Sequence, residues 1–294
     1  MKTVAIVLIS VFISVVVSVY LTIRFTDNQQ TADPTTVRVL AIGQSNIEGR
    51  YGPAISPYDL ENELRAWNWS QDIWVPAELG SLPFAGVVRI KDPANNLAYV
   101  FAGKLAMHCQ VDVDTVLLAS GGKRIEYFLP NYVLEANGWV NEQNAPPFGA
   151  SLADEILGST GDAALALQTS EGLAYDVVLV HQGEANNEDI LENAEPYLAK
   201  LRALVAELRL RKLVSEDTPI LFGGINPDYR GGEAHRIAIE QLANEGLGVV
   251  DWRGIEDVRS VSGESNNHAT GNGLTELGLR YFEEYMRLVR DCPT

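Results

Sequence analysis

Five short apolar runs constrain the fold of this chain more than any other feature of its sequence. They occupy residues 37–42, 114–119, 176–181, 219–223 and 248–252. Nearly continuous apolar runs of this length are typical of strands that are covered on both faces of a sheet. Patterns with helical spacing lie between several of them, and a chain that alternates strands with helices forms a mostly parallel sheet. We therefore predict an α/β three-layer sandwich with a mostly parallel five-stranded sheet.

The helical patterns are found at residues 97–107, 198–208 and 274–288. Residues 51–96 are rich in Pro, Gly and Trp and do not follow the alternation, so we interpret them as a long insertion after the first strand. In open α/β sheets, ligands bind beyond the carboxyl ends of the strands. The chemistry of this chain is therefore expected in the segments that follow the apolar runs.

The N-terminus is expected to lie outside this fold. Residues 4–23 carry no charge, and about 20 residues of helix span the ~30 Å hydrocarbon layer of a bilayer. Two interpretations are open: an uncleaved signal anchor, or a cleaved signal peptide with Val16 and Ser18 before the cut. Both place the rest of the chain across a membrane, either anchored to it or secreted. The sequence thus predicts an N-terminal segment at 1–25, a polar tether at 26–36 and one domain at 37–294.

Composition excludes several classes of function. With 22 basic and 39 acidic residues, the chain has a formal net charge of −17, which disfavours binding to nucleic acid. Its two cysteines, Cys109 and Cys292, cannot form a Cys-rich zinc site, and whether they pair is left open. No dinucleotide-binding glycine motif follows any strand, and no two histidines show metal-ligand spacing. We expect neither a metal nor a cofactor.

The first apolar run leads into residues 43–46, Gly-Gln-Ser-Asn. A Ser just beyond a strand end can present its hydroxyl as a nucleophile, and backbone N–H groups beside it can stabilise an oxyanion. The same residues also suit a simple helix cap. The third run leads into residues 181–184, His-Gln-Gly-Glu, where Gln182 can donate to an oxyanion and Glu184 can orient an imidazole. A hydrogen-bonded turn is the alternative there.

Two further segments complete the set of candidates. The second run ends in Ser120-Gly121-Gly122-Lys123, and paired glycines permit a ligand to approach the backbone closely. Of the four histidines, His108 and His235 are interpreted as structural and His181 ends a strand. His268 lies in a polar loop before the last helix, which suits a general base.

Taken in their order along the chain, these segments resemble the SGNH hydrolase superfamily. They most closely resemble its sialate O-acetylesterase-like branch, which includes the acetylxylan esterases of carbohydrate esterase family 6. The resemblance runs from about residue 37 to residue 288. Residues 43–46 are similar to the nucleophile block of the branch, 181–184 to its central block and 120–122 to its glycine block. His268, with Thr270, Gly273 and 277–278 after it, is similar to its C-terminal histidine block.

The resemblance implies a serine esterase that removes acetyl or other short acyl groups from carbohydrate, and the N-terminal run places it outside the cytoplasm. It assigns Ser45 as the nucleophile, His268 as the base, and Gly121, Gly122, Gln182 and Asn46 as oxyanion or binding residues. Aromatic residues of the insertion then offer surfaces on which sugars can stack; they are Tyr51, Tyr58, Trp67, Trp69 and Trp74. A lipase-like or thioester hydrolase and a membrane-tethered glycan-binding pseudoenzyme are the alternatives.

One departure from the family concerns the acid of the catalytic triad. The family usually has Asp three residues before the histidine, where this chain has Ser265. An acid is needed to hold the imidazole tautomer and stabilise the imidazolium. Glu184 is the preferred substitute, Glu264 is the alternative, and a site without any acid is the third.

Overall fold

The structure, a computed structural model, describes residues 36–49, 63–68, 73–77, 95–139, 175–256, 258–259 and 267–293. They all fall within a single unit, Thr35–Thr294. The predicted N-terminal segment and tether up to residue 35 lie outside the described residues, as do Tyr51, Tyr58, Trp69, Glu264 and Ser265. Within the described ranges, no helix combines the length and the apolar content needed to cross a bilayer.

A seven-stranded sheet in the order β3-β2-β4-β1-β5-β6-β7 forms the centre of the fold. Its strands are β1 (Thr36–Gly43), β2 (Leu64–Asn68), β3 (Ile73–Pro76), β4 (Asp112–Ala119), β5 (Val177–His181), β6 (Ile220–Gly223) and β7 (Gly248–Val250). A separate two-stranded sheet pairs β8 (Val258–Arg259) with β9 (His268–Ala269).

All five predicted strands are present, but the predicted number of strands is wrong. The additional strands, β2 and β3, come from the segment that we interpreted as an irregular insertion. β2 pairs with β4 in parallel, and β3 returns antiparallel at the edge of the sheet. The five predicted strands alone, numbered along the chain, have the order 2-1-3-4-5, which is that of flavodoxin-like folds.

Helices cover both faces of the sheet. They are α1 (Ser45–Glu48), α2 (Leu97–Cys109), α3 (Asn131–Ala136), α4 (Asn187–Glu192), α5 (Glu195–Leu210), α6 (Gly232–Ala243) and α7 (Gly271–Val289). Two short 3-10 helices are Ile125–Phe128 and Glu184–Asn186. The side chain of Asn96 accepts hydrogen bonds from the N–H groups of Ala98 and Tyr99 and so caps the start of α2.

Two apolar cores, one on each face, confirm the expected layers. Leu40 and Ile42 of β1 pack with residues of α5 and α6, whereas Val39 and Ala41 pack with residues of α2 and α7. Successive strand residues point to opposite faces, so a strand buried on both sides must be apolar throughout. This is why the five strands could be predicted from their apolar runs.

The register of the central strands sets the position of the site. Gly43 at the end of β1 is level with Ala119 of β4 on one side and with His181 of β5 on the other. The three polar segments that follow these strands therefore leave the sheet side by side at its carboxyl edge.

Cys109 and Cys292 form a disulfide with a Cα–Cα distance of 5.4 Å. The bond joins the last residue of α2 to the segment after α7 and spans 183 residues of sequence. Cross-links that close long loops stabilise a fold mainly by restricting the unfolded chain.

We predict that the double variant Cys109→Ala/Cys292→Ala unfolds at a lower temperature than the wild type. Loss of a native disulfide removes about 2–5 kcal/mol, which is roughly 5–15 °C for a domain of this size. Thermal unfolding of the fragment that begins at Asp33, followed by circular dichroism, measures the shift. A reductant should lower the wild-type midpoint to that of the variant and leave the variant unchanged. Equal midpoints for the oxidised wild type and the variant contradict the prediction.

Candidate active site

A tight turn after β1 presents Ser45. Gly43 has φ +152°, and a Cβ added there would lie 2.0 Å from the carbonyl oxygen of His181. The N–H of Gln44 donates to that same carbonyl, at 3.2 Å. Only glycine permits this approach of two strand ends, and the turn that it allows starts α1 at Ser45.

Ser45 and His268 meet although 223 residues separate them in sequence. Nε2 of His268 lies 2.8 Å from Oγ of Ser45. The two residues are only 5 % and 7 % exposed, so the pair is largely shielded from bulk water. A histidine at this distance can take the hydroxyl proton as the oxygen attacks.

The carboxylate of Glu184 accepts hydrogen bonds from both neighbours of Ser45. Nε2 of Gln44 donates to one oxygen, and Nδ2 of Asn46 donates to the other. Glu184 is buried at the start of the 3-10 helix that follows β5. The nucleophile turn is thus held by a carboxylate from the segment that follows the neighbouring strand, β5.

Asn46 extends this contact to the histidine loop. Its Nδ2 also donates to the backbone oxygen of Asn267, at 2.9 Å, and its Oδ1 accepts from the N–H of Ala269, at 3.0 Å. These are the two backbone groups on either side of His268. Among the described residues, Glu184 therefore acts on His268 through Asn46 rather than by a direct hydrogen bond.

Glu184 is ionised in this setting. Burial raises the pKa of its carboxyl, but the hydrogen bond and charge of His181, its own backbone N–H and Gln44 outweigh burial and lower the pKa to about 2. Nε2 of His181 lies 3.5 Å from the carboxylate. On the other side of the ring, Nδ1 lies 3.2 Å from the Tyr281 hydroxyl, which donates to the carbonyl of Val180.

The glycine segment lies next to the nucleophile turn. The N–H of Ser120 donates to the carbonyl oxygen of Gly43, at 2.9 Å, which joins the two turns directly. Gly121, which follows, is partly exposed, and Gly122 is exposed. Their N–H groups and that of Ser45 are the donors expected to face a developing oxyanion.

Gln182 has a different arrangement from the one expected of an oxyanion donor. Its Nε2 donates to Oδ1 of Asn186, at 2.8 Å, and to the carbonyl oxygen of Lys123, at 3.3 Å. An amide group has two hydrogens, and both are engaged in these contacts. Donation from this side chain to an oxyanion requires one of the two contacts to break.

The remaining candidates lie away from the nucleophile or support the strand ends. His235 is buried, and burial lowers the pKa of its imidazole to about 4. Its Nε2 lies 3.0 Å from the carbonyl oxygen of Gln182, so the neutral ring supports the turn after β5.

Trp67 and Trp74 pack edge to face where β2 pairs with β3. Trp67 is buried, so it is a packing residue rather than a surface on which a sugar can stack.

Sequence reasoning missed four polar residues that shape this region: Gln44, Glu126, Asn186 and Lys200. Gln44 lay within the nucleophile segment but had no role assigned. Lys200 lies in the helical pattern at 198–208, where a charged residue is normally on the solvent side. Glu126 and Asn186 lie outside the helical patterns, and nothing in the sequence signals their burial. Among the described residues, no group of three or more His, Cys, Asp or Glu is arranged to hold a metal.

A Ser–His pair at the carboxyl edge of a parallel sheet is the arrangement of a hydrolase with a serine nucleophile. A sequence profile of the family described as carbohydrate esterase, sialic acid-specific acetylesterase, matches residues 36–287. The chain belongs to this family, and its class of activity is that of a carboxylic ester hydrolase. This confirms the resemblance on which the sequence analysis relied. No curated protein sequence matches the chain significantly.

Solved structures with a similar fold include a protein from Arabidopsis thaliana, at 20 % identity and a TM-score of 0.60, which covers 86 % of this chain and 98 % of that one. A carbohydrate acetylesterase from Xanthomonas citri matches at 18 % identity and a TM-score of 0.59, covering 86 % of this chain and 57 % of that one. NanS matches at 14 % identity and a TM-score of 0.54, covering 87 % and 98 %. At these identities the likeness concerns the fold.

Glu264 and Ser265 lie outside the described residues, so the choice of the triad acid stays a prediction. We predict that Glu184→Gln lowers kcat at least about 100-fold with little change in KM, because misplacing a catalytic pair by about 1 Å has an effect of this size. An amide at position 184 would also direct its NH2 group at one of the two donors, Gln44 or Asn46. Initial rates on one acetyl ester measure the effect.

Two variants serve as comparisons for Glu184→Gln. Glu188→Gln removes an exposed carboxylate one turn further along the chain and should leave the rate unchanged. Glu264→Gln should be nearly silent. If Glu264→Gln loses most of its activity while Glu184→Gln stays active, the triad acid is Glu264, in the loop before His268.

Proposed function

We propose that this chain removes acetyl or other short acyl groups from the hydroxyls of carbohydrates, and that it does so outside the cytoplasm. The observation that carries the catalytic part is the 2.8 Å contact between Oγ of Ser45 and Nε2 of His268. The carbohydrate part is supported by the description of the family to which the chain belongs.

In the first half of the reaction, Oγ of Ser45 attacks the acyl carbon and its proton passes to Nε2 of His268. The tetrahedral intermediate carries its negative charge on the former carbonyl oxygen, beside the N–H groups of Ser45, Gly121 and Gly122. When it collapses, the bond to the sugar oxygen breaks. That oxygen takes the proton from His268 and leaves as a hydroxyl.

In the second half, water attacks the acyl-enzyme and gives one proton to His268. The second tetrahedral intermediate expels Oγ of Ser45, which regains that proton, and the carboxylic acid departs and ionises. The enzyme returns to its starting state with one ester hydrolysed and one water consumed. Throughout, the bonds from Glu184 through Asn46 keep Ser45 and His268 in register.

Two features support an extracytoplasmic location. Disulfides persist in oxidising compartments and are rare in the cytosol, and Cys109 and Cys292 are bonded. The uncharged run at residues 4–23 is the kind of segment that directs a chain across a membrane, either as an anchor or as a cleaved peptide. Both interpretations agree with a glycan substrate outside the cell or in the periplasm.

We predict that Ser45→Ala abolishes hydrolysis and leaves the fold intact, because loss of a triad member typically lowers the rate about 10⁴- to 10⁶-fold. The fragment from Asp33 is first assayed on an aryl acetate and then screened for acetate release from acetylated glycans. Ser215→Ala, in the loop after α5, is the matched control. More than a tenth of wild-type activity in Ser45→Ala overturns the nucleophile. Aryl acetate turnover with no glycan substrate overturns the carbohydrate part alone.

We also predict that both cysteines are oxidised in the cell that makes the protein. Trapping of free thiols with a bulky maleimide, before and after reduction, should shift the full-length chain only after reduction. Protease added to intact cells or spheroplasts should digest the domain if it lies outside. A shift without reduction, together with protection from protease, would point to the cytosol instead.

A further inference from the structure

A buried ion pair lies beside the site and has no part in the reaction as written above. Lys200 of α5 is only 7 % exposed, and its Nζ lies 2.5 Å from Oε1 of Glu126, which is fully buried. Burial raises the pKa of Glu126, but the hydrogen bond from Lys200, the residue's own backbone N–H, the Lys200 charge and Asn186 outweigh burial and lower the pKa below its usual range. Buried charges are stable only when they are paired and hydrogen-bonded.

From Glu126 a continuous series of hydrogen bonds leads to Gln182. Oε2 of Glu126 accepts from Nδ2 of Asn186, at 3.2 Å, and Oδ1 of Asn186 accepts from Nε2 of Gln182, at 2.8 Å. Oδ1 of Asn186 also accepts from the N–H of Ile125, at 2.9 Å. A carboxylate only accepts and a backbone N–H only donates, so the orientation of the Asn186 amide is determined, and that of Gln182 follows from it.

These bonds all end on the segment directly after the paired glycines. Gln182 holds the carbonyl of Lys123, Asn186 holds the N–H of Ile125, and Lys200 holds Glu126. The glycine turn itself has little packing of its own: Gly122 has φ +71°, and a Cβ added there meets no atom within 4 Å. The position of the turn therefore depends on the residues that flank it, Ser120 before it and residues 123–126 after it.

We propose that Lys200, acting through Glu126, Asn186 and Gln182, positions the Gly121–Gly122 turn so that its N–H groups meet the oxyanion. The inference rests on the proposed function, since it assigns a role within the same reaction. Lys200, Glu126, Asn186 and Gln182 are positioning residues. In this arrangement the amide of Gln182 holds the oxyanion segment in place instead of donating to the oxyanion itself.

Arg124 is the second cation near this carboxylate. Its Nε lies 3.6 Å from Oε2 of Glu126, while its guanidinium also pairs with Asp189. Arg124 is partly exposed, so water screens its charge more than that of Lys200. Lys200 is therefore the cation on which the buried carboxylate depends.

The test is Lys200→Met in the full-length chain. We expect kcat on an aryl acetate to fall about 10- to 100-fold with KM nearly unchanged, the effect of weakening one oxyanion contact. Affinity for an alkyl boronic acid, which forms a tetrahedral adduct with Ser45, should fall by a similar factor. The amide signals of Gly121 and Gly122, in protein labelled with ¹⁵N-glycine, should shift.

Two further variants separate positioning from general stability. Adding Glu126→Gln to Lys200→Met removes the unpaired buried charge while keeping an acceptor for Asn186, and it should restore most of the rate and of the boronate affinity. Arg202→Met on the same helix breaks an exposed pair with Glu245 and should change neither.

The inference is overturned if kcat, boronate affinity and the glycine signals of Lys200→Met all stay at wild-type values. It is also overturned if Arg202→Met loses as much activity as Lys200→Met, since general destabilisation then accounts for the loss. A wild type without esterase activity contradicts the proposed function instead, and the glycine signals then still decide whether Lys200 sets the turn.

Discussion

The carboxylate of Glu184 holds the active site together. It accepts hydrogen bonds from Gln44 and Asn46, the two neighbours of Ser45, and Asn46 in turn bonds to the backbone on both sides of His268. One buried group from the segment after β5 therefore sets the geometry of the turn after β1. It also sets that of a loop more than 80 residues further along the chain. These contacts are available only because Gly43 lets the ends of β1 and β5 approach closely.

The buried carboxylates of Glu184 and Glu126 are matched locally, although the chain as a whole is strongly acidic. Glu184 is met by His181 and two amides, and Glu126 by Lys200 and Asn186. An unmatched buried carboxylate would take up a proton or draw in water, and either event would loosen the turns that it supports. Both carboxylates are bonded to the segment after β5: Glu184 belongs to that segment, and Glu126 accepts a hydrogen bond from Asn186 within it.

The central fold could be predicted from sequence because its strands are buried on both faces and are therefore apolar at every position. β2 could not, because the partly exposed Arg65 and Asn68 interrupt its buried residues, which leaves neither a continuous apolar run nor a regular alternation. It also lies within a segment rich in Pro and Gly. Ser45 and His268 were identified by their place after a strand and before a helix, supported by the family resemblance. The 2.8 Å contact between them could not be predicted, since the sequence gives no distance between residues so far apart along the chain.

The limits of sequence reasoning are clearest at Gln182 and Lys200. Gln182 was expected to donate to an oxyanion, yet which way an amide points depends on partners that only the folded chain brings near. Lys200 lies in a helical pattern where a lysine normally faces water, and only the buried Glu126 opposite explains its inward position. Buried polar pairs of this kind leave little trace in the periodicity from which secondary structure is inferred.

The disulfide divides the active site in an unexpected way. The covalent ring closed by Cys109 and Cys292 contains the glycine turn, Glu184 and His268, whereas Ser45 lies on the chain before it. A single cut by a protease anywhere within that ring leaves both pieces covalently joined. The cut ends stay at high effective concentration, so the pieces can remain docked and the catalytic residues together. In the extracytoplasmic setting proposed above, this topology would let the enzyme tolerate a single cut without any added contact.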